Sequence, residues 1–389
     1  MSRIALIGHS RGAEGITSAA AFNKMSAYPE DATIKFDYGY DIRSLIAIAG
    51  TDGLYKPAGQ SLILEDVNYL ALHGAHDMDV SSFRTASQFH RIDFTGDTDY
   101  FKSSVYIYGA NHGQFNTEWG RRDSIGLSNN VFNIAQLIPE EDQLEAAKVL
   151  ISSFLDATLK KDHELRDVFQ DLGYARDWLP DTMYISNYWD SNTTLIGNFE
   201  EDADPGTTTL PGGKLVGENL TLWSEERVNM KFSPDLYSAV QLGWDSSTGE
   251  VARFTVHLED AEIEAGENSD IVFSLADSRL DATMGEGEAL IDLTIAVKDR
   301  QDNEAVLLLS SELYLLPMLE GNILKFPFTS FSPTKEPIFQ NYSVAMSDLQ
   351  KNNPVFEPAE INEISFVFDQ TPVGSVYLKE IGIRTMDND

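Results

Sequence analysis

Three short segments hold residue types that can work together chemically. In the first, Gly8-His9-Ser10-Arg11-Gly12, a serine follows the apolar run Ile4-Ala5-Leu6-Ile7 and precedes a small-residue stretch, 13–22, with helical character. A serine hydroxyl is a poor nucleophile unless a base takes its proton. A sharp strand-to-helix turn lifts such a hydroxyl clear of a sheet, and glycines two residues to either side let strand and helix approach. The base should be a histidine oriented by a carboxylate. Tyr69-Leu70-Ala71-Leu72 runs through His73 into Gly74-Ala75-His76-Asp77-Met78-Asp79. Val105-Tyr106-Ile107-Tyr108 runs into Gly109-Ala110-Asn111-His112-Gly113. Reactive groups gather where parallel strands end. The reading is therefore Ser10 as nucleophile, His112 as base, and Asp77 or Asp79 as the orienting acid. His9 reads as a support residue beside the serine and His73 as a core histidine. His76, His90, His163 and His257 lack the post-strand setting or the order.

The elements that must position these residues follow from hydrophobic rhythm. Ile4–Ile7, Leu45–Ala49, Tyr69–Leu72 and Val105–Tyr108 are continuous apolar runs, as expected of strands buried on both faces. Intervening crossovers argue for a parallel sheet flanked by helices. Pro139 followed by Glu140, Glu141 and Asp142 marks a helix start. Leu144, Ala147, Ile151, Phe154 and Leu155 would form its apolar face, with Lys160 and Lys161 near its far end. Beyond residue 189 the period becomes two. Leu293, Ile295 and Val297 alternate with Asp292, Thr294 and Ala296, and Ile364, Phe366 and Phe368 follow the same rule. This predicts an antiparallel sandwich. The expected fold class is α/β plus all-β, with domains at 1–189 and 190–389 and a polar, turn-rich boundary near 186–196.

The stretches 4–12 (IALIGHSRG), 72–80 (LHGAHDMDV) and 108–116 (YGANHGQFN) resemble the nucleophile elbow, acid loop and histidine loop of the α/β-hydrolase family. The likeness is to esterases related to dienelactone hydrolases, polyester hydrolases and platelet-activating-factor acetylhydrolases, over roughly the first 160 residues. It implies a carboxylic ester hydrolase with the chain order Ser, Asp, His. It also implies Asp77 as the acid, with Asp79 as the alternative, and an oxyanion donor at the backbone N–H of Arg11. No cofactor is implied, and the substrate would be a small ester or a polyester. Thr51 and Asp52 would line the acyl pocket. Trp119, with Arg121 and Arg122, either caps the entrance or serves packing and pairing.

The family places further strands before its nucleophile strand, and here only three residues precede Ile4. The chain therefore reads as the C-terminal half of an α/β-hydrolase sheet, lacking the loop that gives the second oxyanion donor. Such a loss costs about 2.7–4 kcal/mol. The Ile4–Ile7 strand would then present an open apolar edge. Either an N-terminal half is missing, or another chain, including a second copy, completes the sheet. The competing reading is a non-catalytic fragment whose β-domain is a binding module. No signal peptide precedes Ile4, and the family likeness implies that the parent protein is secreted or periplasmic.

The second half resembles the jelly-roll modules appended to secreted bacterial hydrolases, through Asn198-Phe199-Glu200-Glu201-Asp202, Phe366-Val367-Phe368-Asp369 and Val376–Gly382. That implies carbohydrate as a candidate partner, with Trp223 and Trp244 either a stacking platform or core. Glu200, Asp202 and Asp369 are the candidate calcium ligands, against the reading of a solvated acidic turn. The formal net charge of -34 repels nucleic acid and anionic lipid. The absence of cysteine excludes disulfides, thiol catalysis and cysteine-ligated zinc. No segment is long and apolar enough to be a membrane span.

Overall fold

The computed structural model describes residues 3–95, 99–124, 130–232, 234–279, 290–331 and 333–386. The chain divides into two compact units. The first comprises 1–191 with the returning segments 231–233 and 320–334, and the second comprises 192–230, 234–319 and 335–389.

The first unit is built on a five-stranded sheet of β1 (Ile4–His9), β2 (Ile42–Ile48), β3 (Asn68–Gly74), β4 (Phe101–Ile107) and β5 (Tyr184–Asp190), in that spatial order. The first four are parallel, and β5 runs antiparallel to β4. Helix α1 (Arg11–Lys24) follows β1, and α2 (Glu140–Leu155) follows the loops after β4. Alternate strand residues serve different helices. Leu45, Ala47, Tyr69 and Ala71 pack with Ala13, Ala20 and Ala21 of α1. Ile46, Ile48, Leu70 and Leu72 pack with Ala147, Leu150 and Phe154 of α2. Both faces are covered, so these strands read as unbroken apolar runs. Each buried Leu or Phe contributes about 1.5–3 kcal/mol.

Two expectations change here. Strand β1 is not buried on both faces; it pairs with β2 at the sheet edge, the open edge that the half-sheet reading expects, and Ile7 is 50% exposed. The polar stretch near 186–196 is not a simple linker, because Tyr184–Asp190 forms β5. Ile185, Tyr188 and Asp190 are its buried positions, and this mixture of polar and aromatic residues hides the strand from a hydrophobicity reading.

The second unit is an antiparallel β-sandwich. Its strands are β6 (Thr193–Gly197), β7 (Lys214–Glu218), β8 (Leu222–Asn229), β9 (Pro234–Asp245), β10 (Ala252–His257), β11 (Ser269–Asp277), β12 (Thr294–Asp299), β13 (Glu304–Leu308), β14 (Gln340–Ala345), β15 (Ile361–Phe368) and β16 (Val373–Thr385). One sheet runs β8-β9-β16-β11-β14, with β6 also on β16; the other runs β7-β10-β15-β12-β13. The inward residues Phe254, Phe273, Ile295, Val297, Ile364, Phe366 and Leu378 meet in one core. Among the described residues no helix is long and apolar enough to cross a membrane.

Candidate active site

Ser10 sits between β1 and α1 with φ 56° and ψ -126°. A non-glycine residue in that region carries about 1–3 kcal/mol of strain, held by its surroundings. The restraints are visible. Ser10 N donates to Ile48 O at 2.9 Å, and Ser10 O accepts from Ala13 N at 3.0 Å and Thr51 N at 3.3 Å. Ser10 is also the N-cap residue of α1, yet its hydroxyl makes no capping bond, which leaves the oxygen uncommitted. The amide of Arg11 belongs to the first helical turn, whose N–H groups lack intrahelical partners and can receive an oxyanion. The two motif glycines have different duties. A Cβ on Gly8 would lie 2.1 Å from Gly12 O, whereas one on Gly12 would meet nothing within 4 Å. Gly50, after β2, gives α1 similar room, since its Cβ would fall 2.3 Å from that of Ala13.

Asp77 follows β3, and His112 follows β4. The Nδ1–H of His112 donates to Asp77 Oδ2 at 2.8 Å. The other oxygen of Asp77 accepts from Asp79 N at 2.9 Å and Val80 N at 2.6 Å. Both side chains are buried. This arrangement assigns the proton to Nδ1 and leaves Nε2 as the basic nitrogen. Nε2 is buried and has no hydrogen-bond partner, so Ser10 does not engage it in this structure. The carboxylate of Asp79, 55% exposed, lies 3.5 Å from Nε2, on the opposite side of the ring from Asp77. Catalytic hydrogen bonds are often long in a resting site and tighten when substrate is bound. Burial pushes the imidazole down, but the hydrogen bond and charge of Asp77, with Asp79 and Asp123 behind them, outweigh it and hold His112 above its ordinary value. Burial pushes Asp77 up, against the pull of His112.

Three supports escaped the sequence reading. Asp123 is half-buried and accepts from Met78 N, His112 N, Gly113 N and Asn111 Nδ2. Gln143, in the first turn of α2, accepts from Asn111 N at 3.1 Å and donates to Asn111 O at 2.8 Å. Gln136 meets His76 Nε2 at 2.9 Å, while His76 Nδ1 accepts from Gly109 N. Neither Asp123 nor the glutamines belong to a motif. The His9 ring packs at a tilt of 34° against that of His112, 4.7 Å away, and burial with the nearby His112 lowers it to about 4. Trp119, 55% exposed, lies parallel over His112 at 5.7 Å and covers the ring. His73 is buried against Ser104 Oγ, and burial takes it down to about 3.

The remaining candidates have other partners. Thr51 bonds Glu14 through its hydroxyl, and Asp52 forms a buried ion pair with Arg91. The carboxylate of Asp202 accepts from Asp204 N and Thr207 Oγ1, Glu200 accepts from Ser238 N, and Asp369 accepts from Thr294 Oγ1. Among the described residues no three Asp, Glu, His or Cys side chains converge to hold a metal. Trp244 stacks on Phe368 in the sandwich core at 4.2 Å and donates to Thr371 O. Trp223 packs edge-on against Phe254. Neither is an open platform for a sugar ring. A groove of about 830 Å³ crosses the outer face of β12, β13 and β15, with Arg253, Glu304, Asn352 and Gln370 in its walls and Val306 and Leu308 in its floor.

No family model and no curated protein matches the chain. Among solved structures, the family 30 carbohydrate-binding module of a Clostridium thermocellum cellulosomal cellulase is 12% identical, covering 50% of this chain and 99% of its own at a TM-score of 0.31. The family 11 carbohydrate-binding module from the same organism is 10% identical, covering 51% and 98% at 0.29. An exo-beta-agarase is 13% identical, covering 50% and 25% at 0.30. At these scores the likeness is loose, and the sandwich here rests on its own strand pairing.

Proposed function

We propose that the first unit is a serine hydrolase acting on carboxylic esters. The observation that carries this reading is the strained, uncapped Ser10 at the carboxyl edge of the same sheet that carries the Asp77–His112 pair. Ser10 Oγ attacks the ester carbonyl carbon while His112 Nε2 takes the hydroxyl proton. The carbonyl oxygen becomes an oxyanion facing the N–H of Arg11. Asp77 holds the Nδ1–H and stabilises the imidazolium. Collapse expels the alcohol, which receives the proton from Nε2. Water then enters by the same route and releases the acid. Access to Nε2 requires Trp119 or the Asp79 loop to yield, since that nitrogen is covered in the resting site.

Hydrolysis of a short-chain nitrophenyl ester, compared with Ser10→Ala, tests the reading. Turnover lost in the variant is expected. Equal turnover by both proteins would end the assignment.

A second reading, a carbohydrate-binding role for the second unit, is favoured by the groove over β12, β13 and β15, which combines polar side chains such as Asn352 and Gln370 with the apolar Val306 and Leu308. Affinity electrophoresis in gels containing soluble polysaccharides tests it. Retardation that Asn352→Ala with Gln370→Ala relieves would support the role. Unchanged mobility across neutral plant and algal glucans and galactans would remove it.

A further inference from the structure

Asp123 accepts four hydrogen bonds that arrive from two loops. Its Oδ2 takes Met78 N from the acid loop at 3.0 Å and His112 N from the histidine loop at 3.0 Å. Its Oδ1 takes Gly113 N and Asn111 Nδ2, each at 2.7 Å. All four partners are donors, so only a carboxylate with both oxygens unprotonated satisfies them. The fit is close. A Cβ on Gly113 would lie 3.1 Å from Asp123 Oδ1 and 2.3 Å from Gly120 O, so the histidine loop can settle here only with glycine at that position. The titratable groups that face Asp123 are Asp77 and His112, and His112 is in turn approached by Asp79 and His9.

We propose that Asp123 is the positioning residue of the site, whose carboxylate ties the acid loop to the histidine loop and thereby sets the geometry at which His112 meets Asp77. The role rests on the hydrolase reading above, although the geometry it controls can be measured without turnover. Asp123 touches neither the nucleophile nor the reacting atoms. It acts through the Met78 N–H next to Asp77, through the N–H groups of His112 and Gly113, and through the Asn111 side chain. Its position is unfavourable for a charge, since burial and the neighbouring Asp77 push it up to about 6. A half-buried charge held against such opposition is more common at functional sites than elsewhere.

Asp123→Asn is the informative change. Either orientation of the amide turns an NH₂ group toward two N–H donors, so half of the clamp is lost while size and shape remain. Removing a carboxylate from beside Asp77 also relieves repulsion, so the variant is expected to fold. The wild-type chain and the variant should be labelled with a fluorophosphonate across pH, and the Nδ1 proton of His112 followed by NMR. A displacement near 1 Å costs about 10²-fold in rate, and a loss of that order is expected for the variant. In the wild type, both His112 and Asp123 must be deprotonated, so below about pH 6 the log rate should fall by about two log units per pH unit. In the variant it should fall by one. The His112 limb should also move to lower pH, because a charge that raises it is gone.

Labelling at the wild-type rate with an unchanged profile would overturn the proposal. If the wild type is not labelled at all, the hydrolase reading fails separately. The downfield Nδ1 proton, present in the wild type and lost in the variant, would then still support positioning, and its persistence would refute it. If the variant does not fold, Asp123→Glu, which keeps the charge and lengthens the side chain, decides, and wild-type labelling with the downfield Nδ1 proton unchanged is the contradicting result.

Discussion

The two glycines of the Ser10 turn should respond to alanine in opposite directions. In Gly8→Ala the new methyl lies 2.1 Å from Gly12 O, 2.3 Å from Gly12 C and 2.6 Å from Ala13 N, all backbone atoms of α1. Ordinary contact begins near 3.4 Å, so β1 and the start of α1 would have to part by about 1.3 Å. Overpacking of this kind costs typically about 1–3 kcal/mol, and here no flexible side chain can absorb it. The same shift moves Ser10, whose main chain hangs between Ile48 O and Thr51 N, and a displacement near 1 Å costs about 10²-fold in rate. Gly12→Ala meets nothing within 4 Å and lies in the first turn of α1, so it should gain up to about 1 kcal/mol from helix propensity. Thermal unfolding reads the stability difference, at roughly 2–4 °C per kcal/mol for a unit of this size. Fluorophosphonate labelling reads the displacement. A Gly8→Ala chain as stable and as reactive as the wild type would refute the steric argument, as would a Gly12→Ala chain that is the worse of the two.

Further expectations concern strain, pH and the ion pair under the site. Ser10→Gly removes the nucleophile together with the cost of φ 56°, so unfolding should show a gain of about 1 kcal/mol while labelling disappears; a loss of stability would mean that Ser10 is unstrained. Labelling of the wild type should rise with pH through a His112 value above 6.5 and level off beyond it, because only the neutral imidazole accepts a proton; a rate that is flat across that range would exclude His112 as base. The corresponding stability term has the opposite sense, since the folded chain favours protonated His112. That term is full below the unfolded value near 6.5 and is lost as pH rises through the raised folded value. Arg91→Ala leaves Asp52 buried without its partner and should destabilise the chain by about 3–5 kcal/mol, with part recovered in Arg91→Ala/Asp52→Ala; a change under 1 kcal/mol in urea unfolding would mean that the pair is solvated.

Physical patterns explain which features can be read from the residues. The β2, β3 and β4 segments are visible because both of their faces are covered by apolar partners. The sandwich strand with Ile295 and Val297 is visible because only one of its faces enters the core. Strand β1 has the same apolar composition but half the cover, and composition alone does not distinguish an edge from a centre. The buried face of α2 is wider than the expected one. Ala147 and Phe154 are inside as expected and Ile151 and Leu155 pack against them, but Gln143, Ala146, Leu150 and Ser153 are buried too, Leu144 is only half-buried, and Gln143 bonds the main chain of Asn111. Asp123 is the least legible residue. A half-buried charge held by main-chain donors follows no hydrophobic period and belongs to no short motif.

The most direct test of the account is mass mapping of the chain after fluorophosphonate treatment, alongside His112→Ala and Asp77→Asn. The account predicts a single adduct on the peptide containing Ser10, at a rate that falls by several orders of magnitude in His112→Ala and substantially in Asp77→Asn. An adduct on another residue, or one on Ser10 that forms equally fast without His112, would contradict it.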